Sequence, residues 1–128
     1  GNAQKANLTL ARQAAAARAR DEVARSVNVK VSNMLKDFLQ QSGAGQDAQS
    51  LEFTESVSKQ VASVSLSGAQ IKKVEQGDDG MLYVLVEYPL SSVRQTALSE
   101  AKKREAQFTE LKARKSFADL EKEIEKLN

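Results

Sequence analysis

The sequence predicts an α+β domain: a small antiparallel sheet packed on two helices and followed by a long C-terminal helix. Three observations predict it. Apolar residues recur at steps of three and four from Leu8 to Gln41. Two short runs, Ala69 to Gln76 and Met81 to Tyr88, flank the turn-forming Gly77-Asp78-Asp79-Gly80. From Leu90 to the end no glycine or proline occurs, and the helix formers Ala, Glu, Lys, Leu, Arg and Gln dominate.

In the first helix Leu8, Ala11, Ala15, Ala19, Val23, Val27, Val31, Met34 and Phe38 form one stripe, with Arg12, Arg18, Arg20 and Asp37 mostly off it. Asn7 or Thr9 can accept a bond from an unpaired amide of its first turn, and Ser42-Gly43 supplies the stop. Val27-Asn28-Val29-Lys30-Val31 alternates strictly and is rich in β-branched residues, so a short strand is the competing expectation there. The small polar stretch from Ser42 to Ser50 reads as a loop. A second helix then carries Phe53, Val57, Val61 and Val64 behind Ser50 as N-cap, and ends at Leu66-Ser67-Gly68.

Of the two hairpin strands, MLYVLVEY is nearly continuously apolar and is expected to be the better buried. AQIKKVEQ carries lysines that suit an edge. Pro89 lacks a ladder donor and fits the first turn of the next helix. That helix, roughly 38 residues at about 1.5 Å each, would reach about 57 Å and overhang a small domain. Leu90, Val93, Ala97, Ala101, Phe108 and Leu111 follow one stripe that Arg104 and Lys115 interrupt. Phe117, Leu120, Ile124 and Leu127 then begin an offset stripe, expected to contact a partner helix. The expected division is residues 1–98 as the α+β domain and 99–128 as an extended amphipathic helix. The expected core is Val23, Val27, Val31, Phe38, Val57, Val61, Ile71, Leu82, Val84, Val86 and Val93.

The 128 residues are 41% hydrophobic and 28% charged, with a net charge of +2, which suits one modest core. Neither cysteine nor histidine occurs. Disulfides, thiolate nucleophiles, thiolate-bound metals and histidine-based acid, base or metal chemistry are therefore excluded. Chemistry run by Lys, Asp and Glu is not. Glu52 with Glu55, and Asp119 with Glu123, fall on expected exposed helix faces where burial cannot separate their pKa values. Asp78-Asp79-Gly80 lacks the spaced ligands and distal Glu of a calcium loop and reads as a turn. The cluster from Lys102 to Lys115 has no interleaved aromatics or glycines, so a solvated helix face outweighs a nucleic-acid surface. No cofactor, metal or catalytic residue is expected.

Certain words of the sequence resemble the LPP-twenty family of bacterial outer-membrane lipoproteins, whose relatives include the flagellar proteins FlgP and FlgT. Gly1-Asn2-Ala3 is similar to the end of that family's first strand, and Ala11-Arg12-Gln13-Ala14-Ala15, with Ala17-Arg18 and Val23-Ala24, to its helix opening. Leu66-Ser67-Gly68-Ala69 and Asp79-Gly80-Met81-Leu82-Tyr83-Val84-Leu85-Val86 resemble its second-helix exit and hairpin. The resemblance covers residues 1 to about 98. It implies a three-stranded antiparallel sheet backed by helices, a lipidated cysteine upstream, and no catalytic residues. The aromatic often found late in the first hairpin strand is missing, and the long charged C-terminal helix goes beyond the family's common core.

The function expected is therefore a non-enzymatic cell-envelope domain, on the periplasmic side or surface of the outer membrane. It would work by self-association or protein docking, in some relatives at the flagellum. The alternative is a cytoplasmic helical adaptor that binds a partner helix. Membrane contact would come only through the upstream lipid anchor.

Overall fold

The computed structural model describes residues 2–128, with side chains from Lys5 onward. Helix α1 runs over Asn2–Gln41, α2 over Ala48–Gly68, strand β1 over Gln70–Gln76 and β2 over Leu82–Glu87; α3 covers Leu90–Lys103, α4 Glu105–Glu110 and α5 Phe117–Glu125. The α+β class stands, with the sheet reduced to one antiparallel hairpin.

Helix α1 starts earlier than its apolar stripe, so Asn7 and Thr9 lie inside it rather than at its cap. Thr9 Oγ1 instead donates back to the Lys5 carbonyl at 2.9 Å. Asn2 and Ala3 are helical, which corrects the expected strand end at Gly1-Asn2-Ala3; Gly1 lies outside the described residues. Residues 27–31 are also helical. Val27 and Val31 are buried while Val29 is exposed, as i, i+4 spacing requires and alternation forbids. At the far end, Gly43 takes φ +78°, with its amide on the Gln40 carbonyl and the Ala44 amide on the Leu39 carbonyl, closing the helix as a Schellman turn.

Asp47, not Ser50, caps α2, its carboxylate accepting from the Ser50 amide at 2.7 Å. That bond holds the Asp47 carboxyl below the usual carboxylate range. Ser50 is itself fully buried, its hydroxyl donating to the Ala44 carbonyl. Ser50, Thr54, Ser58 and Ser65 give α2 a row of small buried residues that suits close helix packing, and α1 and α2 share the most extensive helix–helix contact in the fold. Phe53, Val57 and Val61 fill the core beside them, whereas Val64 is exposed.

The 38-residue rod does not form. Its chain breaks at Arg104 and again between Leu111 and Ser116, near the two charges that interrupt its stripe. Lys112 turns the chain at φ +54°, the one non-glycine residue with positive φ among the described residues. The Arg114 amide then bonds to the Ser42 carbonyl at 2.9 Å, and Ser116 opens α5 with a reciprocal Ser116–Asp119 capping box. The stripe is folded back because Phe108, Leu111, Leu120, Ile124 and Leu127 gain more by burial than the breaks cost. One hydrophobic cluster joins α1, α2, α3, α4 and α5, so the boundary expected at residue 98 falls within α3 and separates no second core.

Candidate docking groove

The hairpin leans on α1 through β2. Pairing runs Gln76 with Leu82, Val74 with Val84, Lys73 with Leu85 and Ile71 with Val86, with a bulge between Ile71 and Lys73. Leu82, Val84 and Val86 turn toward the helices, and Tyr83 and Leu85 face solvent at 54% and 57% exposure. The MLYVLVEY strand is, as expected, the better buried of the two, with Val86 buried and Leu82 and Val84 half-buried, but its apolar run is covered on one face only. Of the expected core, Ile71, Leu82, Val84 and Val23 are half-buried and the other members buried.

The two strand edges are unlike. On β1 the bulge and the neighbouring Lys72 and Lys73 disfavour further pairing. Among the described residues no strand lies beside the other edge of β2, and Leu82–Glu87 contains neither lysine nor proline. In an antiparallel pair only alternate residues bond to the neighbour, so half of the β2 amides and carbonyls point to this open side. There, a groove of about 570 Å³ separates the edge from α1. Its floor is Ala19, Val23 and Val27, one α1 face at steps of four, with Val84 and Val86 from β2. Leu90 and Val93 line it from α3, and Glu22, Lys30 and Glu87 carry its charges. Arg20 Nε bonds to the Ala69 carbonyl and Tyr88 Oη to Thr96 Oγ1, tying the hairpin base to α1 and α3.

A concavity of about 580 Å³ beside the α1–α2 turn is of similar size but is lined mainly by polar groups such as Asn33, Lys36, Asp37 and Gln40. It lacks a strand edge.

The C-terminal stripe is not a free surface. Leu120 and Ile124 are 0% exposed and Leu127 8%, while the Phe117 ring is half-buried 5.6 Å from that of Phe108. Arg94 Nε seals the end by donating to the Leu127 carbonyl. The expectation that Phe117, Leu120, Ile124 and Leu127 await a partner helix is thereby corrected: their partner is this chain's own core.

The remaining candidates have structural work. Asp79 accepts from the Met81 amide and the Tyr83 hydroxyl, so both its oxygens close the hairpin loop. Among the described residues no three or more of His, Cys, Asp or Glu come together as a metal-binding group. Within the basic stretch, Arg104 reaches the nearly buried Glu100 at 2.8 Å and Lys103 the other oxygen at 3.2 Å. The Arg104 hydrogen bond, against the cost of burial, holds the Glu100 carboxyl below its usual range. Lys115 lies over the Phe38 ring and bonds to Gln41.

Sequence reasoning assigned Val23, Val27, Val84 and Val86 to the core and missed the groove they share. The available signal was the excess of apolar residues in β2 over what a strand with one covered face requires. Comparison with protein-family models, curated proteins and solved structures finds no match for this chain.

Proposed function

We propose that this chain is a docking domain without catalytic chemistry of its own, and that it captures an extended protein segment as a third strand on β2. The unprotected β2 edge beside an apolar groove carries the reading. A strand there would satisfy the outward amides and carbonyls and lay alternate apolar side chains on Ala19, Val23 and Val27. The edge asymmetry sets the side: bulge and lysines guard β1, whereas β2 carries no bulge, lysine or proline and faces α1 across the groove. The resemblance to outer-membrane lipoproteins supports placing this docking in the bacterial envelope, with any tether supplied upstream. The adaptor alternative loses its proposed surface, because the terminal apolar stripe is buried.

The test uses a library of extended nonapeptides with apolar residues at alternate positions. Binders are expected to slow amide exchange in Leu82–Tyr88, and Ser26→Arg, which fills the groove from α1, should weaken them at least tenfold. Binders that protect other segments, or no binders at all, refute the reading. Labelled-palmitate incorporation by the complete reading frame tests the envelope placement separately.

A further inference from the structure

We propose that the C-terminal arm, Ser116–Asn128, exchanges between two copies of this chain by straightening the turn that precedes it. The turn is built against its own sequence. Residues 105–125 contain no glycine or proline and are rich in helix formers, yet they fold as two helices about a turn at Lys112. Lys112 holds φ +54°, a conformation L-residues other than Gly, Asn and Asp seldom adopt. A continuous helix from Glu105 to Glu125 would relieve it and restore intrahelical bonds lost at the turn.

Straightening would extend that helix to about 32 Å and carry Leu120, Ile124 and Leu127 off their own core. Those side chains cannot stay in water, because Leu120 and Ile124 are fully buried in the closed form. The occupant of the vacated slot is fixed by identity. A second copy offers the same Phe108 and Phe38 neighbourhood and the same Arg94 cap for the Leu127 carbonyl, so the contacts of the α5 stripe are remade on exchange. The balance then lies at the turn: Lys112 strain favours exchange, while the Ser116–Asp119 capping box, the Arg114 amide on the Ser42 carbonyl and the Lys115 contacts with Gln41 and Phe38 favour the closed monomer. This proposal does not depend on the β2 groove.

Asp37 and Glu123 line one small concavity between α1 and α5, and the chain contains no cysteine, so an Asp37→Cys, Glu123→Cys variant reports the connection through a short bis-maleimide. A closed monomer cross-links within one chain; an exchanged dimer yields a covalent dimer. After refolding at high concentration, some covalent dimer is expected. Adding Ser116→Ala, which removes the cap from each of the two closed monomers that combine in a dimer, should raise the dimerisation constant about thirty-fold, that is, twice a cap of about 1 kcal/mol. Adding Lys112→Gly, which removes the strain and disfavours the helix, should lower it at least tenfold. Opposite shifts with interchain links support exchange. Cross-links that stay within one chain in all three proteins, dimers linked only within chains, or shifts of the same sign overturn it. Neither Lys112 nor Ser116 is buried, so both variants are expected to fold, and formation of either cross-link verifies that α5 is docked.

Discussion

Two stretches of nearly equal length, α1 and the segment from Leu90 to Asn128, are both free of glycine and proline and rich in helix formers, but only one remains a single helix. The 40-residue α1 runs unbroken although Lys5 to Ala14 are exposed all round. The C-terminal segment breaks twice. The difference lies in what a break would gain. The early stripe of α1 is mostly alanine, so folding it back would bury little. Leu8 and Leu10, its large apolar residues, lie on roughly opposite sides of the helix. Leu111, Leu120, Ile124 and Leu127 can each contribute about 1.5–3 kcal/mol on burial, against about 1–2 kcal/mol for a left-handed Lys112. Propensity permits a long helix in both places; side-chain volume decides which one folds back.

The largest expected effect is at Leu120. Leu120→Ala should cost about 2–5 kcal/mol in urea unfolding, because a fully enclosed side chain leaves a void, and a loss below about 1 kcal/mol would show that α5 is not part of the core. Next is Arg104→Ala, which leaves the nearly buried Glu100 with only the exposed Lys103 as a charged partner and should cost about 2 kcal/mol. The same pair sets a pH dependence. The folded-state pKa of Glu100 is depressed, so its contribution is complete above the ordinary glutamate value and is lost as pH falls through the folded value. Glu100→Gln should flatten that part of the acid limb, and an unchanged acid limb would remove Glu100 from the account.

Gly43→Ala should cost about 1–2 kcal/mol, since φ +78° penalises a Cβ that would also sit 2.9 Å from the Arg114 guanidinium. The loss should fall on the docking of the arm as well as on the end of α1. The smallest effect belongs to the other member of the comparison. Leu10→Ala should change stability by less than about 0.5 kcal/mol, and amides from Lys5 to Ala14 should exchange much faster than those of Val31 to Leu39. A cost near that of Leu120→Ala would mean that the exposed start of α1 is packed in solution.

Much of the core was legible residue by residue. Val27, Val31, Phe38, Val57, Val61 and Val93 stand at helical steps and are buried, and Gly77-Asp78-Asp79-Gly80 turns a hairpin between the two expected strands. The cap of α2 was misplaced by three residues because Asp47 and Ser50 both suit that role, and only the packing of Ser50 against the Ala44 carbonyl separates them. The groove was not legible, because Val23 and Val84 carry the same apolar pattern whether their outer side meets more protein or an opening.

The sequence by itself determined where helices and strands could form, where Gly43 and the Gly77–Gly80 turn reverse the chain, and which charges interrupt the last apolar stripe. These depend on backbone sterics and on spacing, which act over a few residues. Tertiary structure alone decided that the stripe ending in Phe117, Leu120, Ile124 and Leu127 meets its own core, and that β2 keeps an open edge beside α1. An apolar face specifies that it must be covered, but the covering atoms come from residues remote in sequence, so burial free energy selects them only when the whole chain has packed.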